Sequence, residues 1–236
     1  MLEHDATENL WAVGDFFQEG RQAVFVTGGS DRDLAGRSSG ATADAYFLAR
    51  DDAGRWVDRS AELLLDPGER YTCSGPSQAI TADFNLDGKP DVYVACQGVP
   101  SISPTPRPAP AEALPGCCRQ VLFLSQFDGT YRRVETAFTL QAAQAEAVDV
   151  DGDGLIDIVT IDNTAAREQA LLLLGRGDGT FAAGSPHLLL QAGAAAVRLQ
   201  VLDGRLAITR TGASAPTGAV ADGPIKRPLN TPGHGL

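Results

Sequence analysis

Two nine-residue stretches carry oxygen-bearing side chains at alternate positions, the donor pattern of a hard-cation site. In the first, Asp83, Asn85, Asp87 and Asp91 stand at positions 1, 3, 5 and 9, and Lys89 at position 7 offers its backbone carbonyl. In the second, Asp149, Asp151, Asp153 and Asp157 repeat the arrangement, with the carbonyl of Leu155 at position 7. Calcium takes six to eight oxygens at about 2.3–2.6 Å, and a chain curling round an ion presents alternate residues inward. Gly88 at position 6 supplies the freedom for the sharp turn. Two calcium ions per chain are therefore the expected cofactors. The second loop has an aspartate where the first has Asn85, so it crowds four carboxylates together. Like charges a few ångströms apart repel by about 1–4 kcal/mol near a protein surface, and a cation relieves that repulsion. The second loop is expected to bind more tightly. An EF-hand is excluded, because it needs a glutamate at position 12, where these loops have Val94 and Thr160, and its flanks are helical.

The loops belong to an internal repeat. Ala12–Thr27, Ile80–Ala95 and Glu146–Ile161 align without gaps, with Asp15, Asp83 and Asp149 leading at near-equal intervals. A weaker copy, Arg198–Arg210, keeps the Asp203-Gly204 step but not the flanking acids. Asp15, Phe17, Glu19 and Ala23 make a poor ligand set, so the first and last copies are expected to be metal-free turns of the same backbone shape. Each copy is followed by an apolar run, a glycine turn and an aromatic two residues after the glycine. These are Tyr46–Ala49 with Gly54 and Trp56, Val121–Leu124 with Gly129 and Tyr131, and Leu171–Leu174 with Gly179 and Phe181. A glycine turn between apolar runs signals a hairpin, and the β-branched runs after the acidic loops are too short for ordinary helices. Each unit thus offers four short strands. The expected fold is all-β, with β-propeller-type four-stranded blades, three full units and a partial fourth, over residues 1–210. Residues 211–236, rich in Gly, Pro, Ala and Thr, form an expected flexible tail. The proline-rich stretch Ser101–Pro115 reads as an insertion between the second and third strands of its unit.

Charge narrows the partners. With 30 acidic and 19 basic residues the formal charge is −11, which disfavours a nucleic acid held by clustered Lys and Arg. No apolar stretch approaches the roughly 20 residues of a membrane-spanning helix. Cys73, Cys96, Cys117 and Cys118 fall close together without a C-x-x-C pair, and the three histidines are scattered, so disulfides fit better than zinc. Disulfides imply an oxidising compartment. Of three connectivities, the expected one joins Cys96 to one of the vicinal pair and Cys73 to the other, clamping the proline-rich loop. Met1–Leu10 carries three acids and no apolar core of a signal peptide. No Gly-x-Ser-x-Gly elbow, His-Glu-x-x-His or phosphate loop is present, and no catalytic residues are assigned. Arg176-Gly177-Asp178 is read as part of the recurring turn before Phe181, and Trp11, Trp56 and Tyr131 as core aromatics rather than sugar platforms.

The two acidic loops, together with the Gly177–Phe181 segment, resemble the FG-GAP/VCBS repeat family, found in integrin α-chain propellers and in many bacterial secreted and surface proteins. The resemblance covers about residues 10–210, weakening towards both ends. It implies a propeller whose metal loops join the first two strands of a blade, and a role in adhesion, glycan contact or assembly. The chain is shorter than seven blades of such repeats require, so a small ring, a fragment or a piece completed by another subunit is expected. The pairable edges of an open ring lead one to expect a partner, through self-association or a larger assembly. The function expected is a non-catalytic, calcium-binding module for a protein or glycan partner, extracellular, at the cell surface or periplasmic. A calcium-dependent, lyase-type polysaccharide-degrading enzyme, or the propeller fragment of one, is the alternative.

Overall fold

The computed structural model describes residues 9–28, 44–73, 75–97, 119–162, 169–183, 197–202 and 205–210. They fold as an all-β protein. Three antiparallel sheets have four strands each in sequence order. The first holds β1 (Asn9–Gly14), β2 (Ala23–Gly28), β3 (Tyr46–Arg50) and β4 (Trp56–Asp58). The second holds β5 (Pro76–Ala82), β6 (Asp91–Cys96), β7 (Arg119–Ser125) and β8 (Tyr131–Thr139). The third holds β9 (Ala142–Val148), β10 (Asp157–Asp162), β11 (Gln169–Gly175) and β12 (Phe181–Ala183). A two-stranded pair follows, β13 (Val197–Leu202) and β14 (Arg205–Arg210). One short helix, α1 (Ser60–Leu63), and a 3₁₀ turn at Pro67–Arg70 link the first sheet to the second. The acidic loops fall between the first two strands of the second and third sheets, and the glycine turns between the last two. Residues 98–118, with the proline-rich stretch, lie between β6 and β7 as the repeat predicts; that stretch and the 211–236 tail are outside the described residues.

The sheets stack in series, with β1 beside β5, β5 beside β9 and β9 beside β13. Period-two alternation assigns each strand's residues to one neighbour or the other. In β6, Val92, Val94 and Cys96 pack towards the first sheet with Phe25 and Phe47, while Tyr93 and Ala95 pack towards the third with Ala145 and Ile158. All six residues of β6 and of β10 are consequently buried. Position 2 of each acidic-type loop anchors between sheets. Phe16 meets Tyr131 of the next sheet's glycine turn at 6.1 Å, and Phe84 meets Phe181 at 5.7 Å. Tyr131 and Phe181, each two residues after a turn glycine, are thus the sockets for the preceding sheet's loop.

The cysteine pairing differs from expectation. Cys73 bonds to Cys96, with their Cα atoms 6.1 Å apart. Cys73 enters the β5–β6 hairpin three residues before Pro76, which stands opposite Cys96. The antiparallel register brings the two together within one hairpin, so no distant loop is needed. Cys117 and Cys118 are outside the described residues.

Candidate metal centre

The third sheet's loop brings three carboxylates to one point. Asp149, Asp151 and Asp153 each place an oxygen within 4.8 Å of the other two. Two oxygens on opposite sides of a calcium ion stand about 4.8 Å apart, so the cluster has the span of such a coordination shell. Asp149 is buried and the other two reach towards solvent. The backbone fixes this shape. Both oxygens of Asp149 accept amide hydrogens, from Gly152 at 2.7 Å and Gly154 at 2.9 Å. Asp151 accepts from the Asp153 amide and Asp153 from the Leu155 amide. Gly152 and Gly154 have φ of 81° and 90°, a region costly for other residues. Each carboxylate oxygen has two lone pairs, so amide bonding leaves capacity for a cation. The residues present fit a hard divalent ion, with the carbonyl of Leu155 as a further donor.

Asp157 takes a different place. It is fully buried, and its two oxygens accept from the Val150 amide and, across the sheet, from the Gly175 amide, both at 2.8 Å. It ties the start of the acidic loop to the end of β11. Burial raises its pKa against those two bonds, and the charges of Asp151 and Asp153 raise it further.

The Asp83–Asp91 loop has the same frame with a more self-satisfied interior. Asp83 accepts from the amides of Asp87 and Gly88, as Asp15 accepts from those of Glu19 and Gly20 in the ligand-poor first copy. Buried Asp91 accepts from the Phe84 amide and from the amide and hydroxyl of Ser125. Burial is the main force pushing Asp91 up to about 7, against those bonds. Asp87 lies 2.9 Å from the same Ser125 hydroxyl, whose single hydrogen it shares with Asp91, Asn85 donates to the Ser125 carbonyl, and the Lys89 ammonium donates to the Gln126 carbonyl at 2.6 Å. Ser125 gives no signal in the sequence beyond its place after an apolar run, and it was missed there. In the first copy a side-chain cation lies against the loop. Arg59 pairs with Glu19 at 2.9 Å and stacks on Phe17, the residues at loop positions 5 and 3.

The other singled-out residues divide. Tyr131 is core, its hydroxyl donating to the Pro90 carbonyl at 2.6 Å. Trp11 and Trp56 are not; they are 65% and 46% exposed. Asp178 spends its carboxylate on the amide and hydroxyl of Thr180, so Arg176-Gly177-Asp178 is built as a turn. No helix among the described residues is long and apolar enough to cross a membrane. No family model matches the chain, and no curated protein gives a significant match.

Proposed function

We propose that the chain is a calcium-binding repeat module of the FG-GAP/VCBS kind, its sheets arranged as propeller-type blades, acting outside the cytoplasm in assembly or in contact with a protein or glycan. The convergence of Asp149, Asp151 and Asp153 on one point carries this reading. The serial stacking of first strands supports the blade arrangement, and the Cys73–Cys96 disulfide supports an oxidising compartment. Calcium would supply the positive charge that lets the acidic loops close without mutual repulsion; the residues holding it would be Asp149, Asp151, Asp153 and Leu155, and in the weaker loop Asp83, Asn85, Asp87 and Lys89. Asp91 and Asp157 would brace those loops through their amide bonds.

The ion's role is one of stability. Removing it is expected to lower the melting temperature by several degrees, since a bound ligand stabilises by RT ln(1 + [L]/Kd), about 2.7 kcal/mol at a hundredfold excess over Kd. Melting of wild type and Asp151→Ala with calcium and with chelator tests this. The expected result is a chelator-dependent drop in wild type that shrinks in the variant; equal drops would remove the third-sheet loop from the account.

A further inference from the structure

The three loops share one repeat frame but differ in where their positive charge comes from. At position 7 the first loop has Arg21 and the second Lys89, whereas the third has Leu155 and no basic residue between Asp149 and Asp157. At position 3 the third loop has Asp151, the second Asn85 and the first Phe17. The first loop also receives a cation from outside its own nine residues. Arg59, just before α1, places its guanidinium 4.2 Å from the centre of the Phe17 ring and 2.9 Å from Glu19 at position 5. The other oxygen of Glu19 accepts from Arg21 at 2.9 Å. A fork to Glu62, with bonds of 2.8 and 2.7 Å, and a bond from the Arg59 amide to the Phe47 carbonyl hold the arginine itself in place. Arg59 is the main force holding the carboxyls of Glu19 and Glu62 below the usual carboxylate range. Asp15 meanwhile accepts from the amides of Glu19 and Gly20 as Asp83 accepts from those of Asp87 and Gly88, so the loop has the repeat's closed shape.

We infer that Arg59 is a built-in cation that closes the first loop without metal. A guanidinium suits this place for three reasons. It stays charged across the whole pH range of a folded protein, its planar fork meets two carboxylates at once, and its flat face stacks on an aromatic ring. The last property accounts for a phenylalanine at position 3, where the third loop has a carboxylate. Closure of this loop matters beyond the loop itself, because Phe16 at position 2 is buried against Phe47 at 5.1 Å and Tyr131 at 6.1 Å. Fixing its neighbour Phe17 and Glu19 therefore fixes the anchor between the first two sheets. That anchor keeps its place whether or not calcium is present. The inference goes beyond the proposed function and rests on the contacts of Arg59 rather than on calcium.

Hydrogen exchange of the full chain, read at single amides by nuclear magnetic resonance with calcium and with chelator, tests it. In wild type the Gly20 amide, bonded to Asp15, should exchange at the same rate in both conditions. In Arg59→Gln it should exchange at least about threefold faster, and added calcium should not restore it. Arg59→Lys keeps the charge but not the fork or the flat face, and should fall between the two. The Gly88 and Gly154 amides should keep their wild-type rates in both variants. Should Arg59→Gln unfold, Glu19→Gln removes one partner of the guanidinium from an exposed position and should move the Gly20 amide in the same direction. A folded Arg59→Gln or Glu19→Gln variant with wild-type exchange at Gly20, or a wild-type protection there that chelator abolishes, would overturn the inference. Exchange at Gly154 that ignores calcium would instead defeat the calcium reading and leave this inference standing.

Discussion

At the scale of single residues the acidic loops separate two jobs that look alike in sequence. Positions 1, 3 and 5 of the Asp149 loop converge on one point, whereas position 9 lies buried and bound to one amide of the loop and one of β11. Spacing alone cannot tell these aspartates apart, because the partners of Asp91 and Asp157 arrive from the third strand, 34 and 18 residues away. The separation has a pH consequence. Asp91, pushed up to about 7, holds its proton more tightly folded than unfolded. Its contribution is fully present below about pH 4 and is lost as pH rises through 7, a change of up to about 4 kcal/mol. Asp157 is raised in the same direction. Urea unfolding of metal-stripped protein should therefore show stability falling between about pH 4 and pH 7, and calcium, which favours the anionic loops, should flatten the fall. A flat profile without metal would contradict the assignment. Asp153→Ala is expected to lose most of the tighter calcium affinity, and Asn85→Ala to leave that site intact, as read by titration calorimetry.

Among the elements, the Asp-aromatic loop of one sheet and the Gly-x-aromatic turn of the next form a joint. Gly179 lies at its centre. Its amide donates to the Phe84 carbonyl, its φ is +78°, and a Cβ there would stand 2.4 Å from a methyl of Leu124. Gly179→Ala is expected to cost about 2 kcal/mol; thermal unfolding that matches wild type would show the joint to be slack. Reducing the Cys73–Cys96 disulfide, which closes a loop of 23 residues, should cost about 3 kcal/mol in denaturant titrations. Much of this level was legible. The runs Tyr46–Ala49, Val121–Leu124 and Leu171–Leu174 all lie in third strands, because period-two patterning and positive-φ glycines are local signals. The disulfide was misread because loop proximity in sequence was weighed above the cross-strand register that places Cys96 opposite Pro76. The exposure of the tryptophans was equally invisible, since it depends on whether a sheet has a neighbour rather than on anything within it.

For the molecule as a whole, stacked sheets make stability the sum of sheet cores and the joints between them. The second sheet, buried on both faces, is the centre of that stack, and the third carries the better cation cluster. Binding at the third sheet's loop should therefore act through Asp157 on β10 and β11 and be felt in the melting of the whole chain. The central claim is that the repeat loops hold calcium, and calorimetric titration of metal-stripped, full-length protein with calcium tests it most directly. Two ions per chain are expected, the tighter one lost in Asp151→Ala. A titration without binding heat at any temperature tried, together with a melting curve indifferent to calcium, would contradict the account.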